Sequence, residues 1–142
     1  MKAGGMHRVI LDTNIIVSAL ISDGYPSLII EEIIFAEKAI LCISEKVFSE
    51  YTSVLSRDKF LKYPEFKINA DIVLSTINLL AEKYEPGISV NVITDEADNR
   101  LLELAIAAKA DYLITGNIRH FKLSEFEGTK IISPKNYFDL FG

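Results

Sequence analysis

The sequence is poor in cysteine, in long apolar runs and in positive charge, and each shortage removes a class of protein. A single cysteine, Cys42, excludes a disulfide framework and a cysteine-based zinc site. No apolar run approaches the roughly 20 residues that a membrane-spanning helix needs. Lys and Arg number 15 against 20 Asp and Glu, a formal net charge of −5, which argues against bulk electrostatic attraction to nucleic acid or membranes. It leaves room for a nucleic-acid enzyme whose acidic residues gather metal ions. No repeat, low-complexity stretch or Pro/Gly/Ser linker divides the chain. The opening Met1-Lys2-Ala3-Gly4-Gly5-Met6-His7-Arg8 is too short and polar for a signal peptide. It predicts a flexible tail over residues 1–5 and a cytoplasmic protein.

What remains is 142 residues, 49% of them hydrophobic, enough for one domain over residues 6–142 with its own core and too apolar for disorder. Short apolar runs alternate with amphipathic stretches. Arg8-Val9-Ile10-Leu11, Ala39-Ile40-Leu41-Cys42-Ile43, Val90-Asn91-Val92-Ile93, Tyr112-Leu113-Ile114-Thr115 and Lys130-Ile131-Ile132-Ser133 read as strands. Helices are expected over 14–22, 27–38, 44–56, 69–83 and 98–109, with shorter ones near 57–61 and 136–141, and Ser44 suits an N-cap. Buried strands alternating with helices imply an α/β class with a mainly parallel sheet covered on both faces. Ligands in such sheets gather beyond the carboxyl ends of the strands.

Four places carry candidate chemistry. Asp12 ends the first strand, where it either caps the next helix or serves a site. Glu50 sits at the edge of an apolar face made by Val47, Tyr51 and Val54, where a carboxylate needs a cation, a metal or water. Thr94-Asp95-Glu96-Ala97-Asp98 puts three acids at a helix start, which complements the helix dipole but exceeds what capping needs. Thr115-Gly116-Asn117 follows a strand, with Gly116 allowing close backbone approach and Asn117 offering a carbonyl oxygen, although turns favour the same residues. Carboxylates converging without histidine or cysteine partners suit a hard cation, Mg²⁺ or Mn²⁺, which also relieves their mutual repulsion.

These pieces resemble the PIN domain, and the chain from about Met6 to Gly142 is similar to prokaryotic members of the toxin–antitoxin (VapC-like) type. The matching segments are Val9 to Asn14, Ser49-Glu50-Tyr51 with Val54-Leu55, Asp95 to Asn99 with Leu104-Ala105, and Ala110 to Asn117. The resemblance implies a three-layer α/β/α fold and a Mg²⁺- or Mn²⁺-dependent ribonuclease. Asp12, Glu50 and Asp98 fall on the family's first three acidic positions, as catalytic and metal-holding residues. Thr13 and Thr115 match supporting hydroxyl residues, with Asp95 and Asn117 beside them. Asn117 stands where many members carry Asp, which removes one negative charge and bears on whether one or two metal ions bind.

The resemblance further implies an antitoxin partner and a homodimer, and the apolar segment Ser27 to Ala36 is either their docking surface or a doubly covered core helix. Arg57, Lys59 and Lys62 on one segment, and Arg119, His120 and Lys122 on another, are candidates to meet the RNA backbone or are solvated surface charge. Two rival readings are a PIN-like module that only binds RNA or protein, argued from the missing fourth carboxylate, and a phosphatase of the haloacid dehalogenase type. The latter expects Asp two residues after Asp12, where this chain has Asn14.

Overall fold

A computed structural model describes residues 6–142, so the tail expected over residues 1–5 lies outside the described residues. Its centre is strand β1 (Arg8–Leu11), whose Val9, Ile10 and Leu11 are all fully buried. Consecutive strand residues face opposite sides, so a strand buried at every position has both faces covered. β1 pairs in parallel with β2 (Ile40–Ser44) on one side and with β4 (Tyr112–Ile114) on the other. Beyond them lie β3 (Glu82–Tyr84), β6 (Thr129–Ile132) and β5 (Glu125–Phe126). The six-stranded order is β3-β2-β1-β4-β6-β5, parallel except for the β5–β6 hairpin. The fold is the three-layer α/β/α arrangement expected.

The chain winds outward from β1 through β2 to β3, then returns to the opposite side of β1 with β4. That reversal opens a crevice at the carboxyl ends of β1 and β4, where open α/β sheets place their ligands. The helices are α1 (Thr13–Ile21), α2 (Tyr25–Ile29), α3 (Glu45–Leu55), α4 (Phe66–Leu80), α5 (Glu96–Ala108), α6 (Ile118–Phe121) and α7 (Pro134–Phe141). Ser44 caps α3 as expected, accepting from the Val47 amide at 3.1 Å. A single 3₁₀ turn covers Asp58–Phe60.

Three expected elements differ, the first being the helix expected over 69–83, which ends at Leu80 because Glu82–Tyr84 is strand β3. The helix expected over 27–38 is α2 passing into a π-helical turn, Ile30–Ile34. The wider turn brings Ile29, Ile30, Ile33 and Ile34 all inward, each at most 3% exposed. That apolar segment is therefore core, and exposed apolar side chains lie elsewhere, among them Leu61 and, along α4, Ile68, Ile72 and Leu79.

Val90 to Ile93 do not form a strand. Their backbone groups bond to side chains of α5 instead: Glu103 accepts from the Val90 amide, Arg100 donates to the Val90 carbonyl, and Asn99 clamps both polar groups of Ile93. The strand at that side of the sheet is Glu82–Tyr84. Arg8 ties it to β1 across β2, donating to the Tyr84 hydroxyl at 3.0 Å and to Glu82 at 3.2 Å.

Candidate active site

The crevice is built around the end of β1. The Asp12 amide still belongs to the sheet, donating to the Ile114 carbonyl at 3.0 Å. Its side chain occupies the N-cap position of α1 without making a capping bond. The carboxylate is instead held from just past β4 and from α1: Thr115 Oγ1 donates to Asp12 Oδ2 at 2.7 Å, and Asn14 Nδ2 approaches the same oxygen at 3.3 Å. Thr115 is fully buried, and its hydroxyl also accepts from the Asn117 amide at 3.0 Å. Asn14 accepts from the Gly116 amide at 3.2 Å, which closes a ring of bonds between the two strand ends. A Cβ at Gly116 would stand 3.5 Å from Asn14 Oδ1, an ordinary contact, so glycine is not sterically required there.

The second wall comes from α3. Tyr51 is fully buried and donates from its hydroxyl to the Leu11 carbonyl at 2.5 Å. This bond anchors α3 against the end of β1 and sets the neighbouring Glu50, half-buried, at the crevice. The third wall is the first turn of α5. Asp95 is its N-cap, accepting from the Ala97 amide at 2.8 Å, while Asp98 is turned inward and only 7% exposed. Asp98 Oδ2 is buried and has no hydrogen-bond partner among the described residues.

Asp12, Thr13, Glu50, Asp95, Asp98, Asn117 and His120 thus line one cleft of about 170 Å³. Burial pushes the Asp98 carboxyl up to about 6, helped by the charges of Asp12, Asp95 and Glu50 and opposed by His120. Burial also raises Asp12, outweighing the hydrogen bond from Thr115 that pulls the other way. The cleft therefore holds more negative charge than it can stabilise by its own hydrogen bonds. Arg100 reaches the cleft but is turned to Glu103, at 2.9 Å.

Among the described residues no group of three or more acidic, histidine or cysteine side chains closes on one point. A magnesium ion does not demand that, because it keeps several waters and is commonly held through one or two carboxylates. The oxygen donors of Asp12 and Asp98, with one buried oxygen unpartnered, fit a hard divalent ion.

The model of the PIN domain family matches residues 8–119. The chain belongs to the PIN domain family. PIN domains are in general nucleases. An uncharacterised protein of Methanocaldococcus jannaschii is 27% identical, over 94% of this chain and 91% of its own length. The crystal structure of VapBC2 from Rickettsia felis, bound to a DNA fragment from its promoter, contains a chain similar in fold. The TM-score is 0.56 at 19% identity, over 89% of this PIN domain protein and 98% of that chain. The family match sets the chain apart from the phosphatase alternative.

Of the bases expected to meet RNA, Arg119, His120 and Lys122 stand exposed beside the cleft. Arg57, Lys59 and Lys62 are exposed after the far end of α3 and line no part of it. Sequence reasoning missed Asn14, Tyr51 and Asn99. All three lie inside the segments that match the family, next to Asp12, Glu50 and Asp98, and that adjacency was the available signal.

Proposed function

We propose that this PIN domain protein is a Mg²⁺- or Mn²⁺-dependent ribonuclease, the toxin of a toxin–antitoxin pair, acting in the cytoplasm as a homodimer restrained by an antitoxin. The observation that carries the nuclease reading is the buried, unpartnered oxygen of Asp98 beside Asp12 at the crevice of the sheet. Asp12 and Asp98 would hold the ion, with Glu50 available to complete its shell. When bound, a divalent ion activates water and offsets charge building on a phosphodiester. Thr115 fixes the direction of the Asp12 carboxylate, and Asn117 positions a ligand at the mouth. Glu50, with no hydrogen-bonded partner among the described residues, would otherwise be free to orient the attacking water.

The fold shared with the VapBC2 chain supports the toxin–antitoxin assignment. The exposed Ile68, Ile72 and Leu79 of α4 give a protein partner or a second copy an apolar stripe to cover. The test is cleavage of a panel of structured and single-stranded RNAs by wild type and Asp12→Asn, with Mg²⁺, Mn²⁺ or EDTA. Cleavage that needs metal and vanishes in the variant is expected. Failure on every RNA, together with no saturable Mn²⁺ binding, contradicts the nuclease and favours a module that only binds, a reading supported by Asn117 in place of a fourth carboxylate.

A further inference from the structure

Among the described residues, two buried side-chain polar atoms lack a hydrogen-bond partner, and both lie near the start of α5. One is Asp98 Oδ2 and the other is Arg100 Nε. Groups of opposite charge, each with an unpartnered buried atom, stand two residues apart in the chain without meeting. Arg100 nevertheless lines the acidic cleft together with Asp12, Glu50 and Asp98. Its guanidinium is drawn the other way: Nη2 stands 2.9 Å from Glu103 Oε2 and donates to the Val90 carbonyl at 3.2 Å. Glu103 is itself buried, and the same oxygen accepts from the Val90 amide at 2.8 Å. A glutamate is almost never fully buried unless it is paired, and here its partner is the one cation that borders both the cleft and the α3–α5 groove.

Arg100 has two other acidic neighbours. Glu96 lies four residues earlier, the usual spacing of a helix ion pair, but it is exposed, where such pairs are worth little. The carboxylates of the cleft attract more strongly, because burial leaves their charge poorly screened. We propose that Glu103 is a positioning residue: it keeps Arg100 out of the acidic cleft and so leaves Asp12 and Asp98 available to a divalent cation. A guanidinium released into the cleft would neutralise the negative charge that the cation needs. The inference rests on the metal-holding reading above and adds to it the residue that protects the site. Glu103 also supports the Val90 loop, so its test has to separate charge from support.

The test is Mn²⁺ calorimetry at neutral pH and low salt on wild type, Glu103→Gln, Arg100→Gln and the double variant Arg100→Gln/Glu103→Gln. Glutamine keeps an oxygen for the Val90 amide and gives up the charge that holds Arg100. The double variant lacks the same carboxylate but has no guanidinium to release. A role in supporting the loop therefore weakens both variants alike, whereas the proposed role weakens only the first. Thermal melting establishes that each variant is folded.

Glu103→Gln is expected to bind Mn²⁺ roughly ten-fold more weakly than wild type, with the double variant restored to within about three-fold. Arg100→Gln is expected to bind no more weakly than wild type, because its charge is already held away from the cleft. A folded Glu103→Gln that binds like wild type, or a double variant as weak as Glu103→Gln, would overturn the proposal. So would weaker binding by Arg100→Gln, which keeps the proposal open to refutation even where Glu103→Gln does not fold. The two readings fail separately. Wild type that binds no Mn²⁺ removes the metal site and this inference with it. Wild-type binding that Glu103→Gln leaves unchanged keeps the metal site and removes only the role of Glu103.

Discussion

The Thr115 hydroxyl donates to Asp12 Oδ2 at 2.7 Å, so the end of β4 sets the direction of the carboxylate at the end of β1. A hydroxyl has one proton to give. Spent on Asp12, it leaves an oxygen that accepts from the Asn117 amide, and one residue thereby orders both sides of the crevice.

Replacing Thr115 by Val keeps the shape and removes that bond. Loss of a group that orients a metal-holding carboxylate typically costs about 10–100-fold in metal affinity or activity. Mn²⁺ calorimetry should show a weakening of that order for Thr115→Val, with Thr115→Ser within a few-fold of wild type. Equal affinities in all three would remove Thr115 from the site.

Asp98 makes stability depend on pH in a defined direction. Its carboxyl is raised from 3.8 to about 6 by burial and neighbouring acids, so between those values the folded chain keeps a proton that the unfolded chain releases. In EDTA, stability from this group is full at low pH, falls as pH rises through about 4 to 6, and is lost above that. Asp98→Asn lacks the penalty. Urea unfolding should find it more stable than wild type at pH 7.5, by on the order of 2 kcal/mol, with the gap closing toward pH 4. Parallel curves for the two proteins would contradict the burial of a charged Asp98.

Asn99 holds the loop before α5 by bonding both polar groups of Ile93. Asn99→Ala leaves those groups without protein partners and should cost about 1–3 kcal/mol in urea unfolding. Hydrogen exchange at the Ile93 amide should accelerate with it. Unchanged exchange would show that the loop is ordered by other contacts.

How much of this was legible in the sequence varies with the range of the contacts. The acidic positions were, because Asp12 follows an uninterrupted apolar strand and Asp98 adds an acid beyond what a cap uses. Val90 to Ile93 has the composition of a strand, and what keeps it out of the sheet is Asn99, Arg100 and Glu103, which read in sequence as ordinary polar positions of a helix. Glu103 is in fact only 4% exposed. Strand β3 was missed for the opposite reason: Glu82 and Lys83 suit an edge, where charge discourages further pairing, and give no apolar run to notice. The Tyr51 bond to Leu11 joins residues that only the finished fold brings together.

Asn117 stands at the mouth, exposed, where a carboxylate would add charge without a burial cost. Asn117→Asp should therefore tighten divalent binding, and Mn²⁺ calorimetry should show either a several-fold lower Kd or a second ion bound. Weaker binding would place residue 117 outside the reach of the ion.

The central claim is that the buried charge of Asp12 and Asp98 exists to hold a divalent cation. The direct measurement is an anomalous difference map from crystals soaked in Mn²⁺. The account predicts a peak at ligating distance from the carboxylates of both Asp12 and Asp98, absent from Asp12→Asn crystals. A map with no peak in the cleft, or one whose peak survives that substitution, would contradict it.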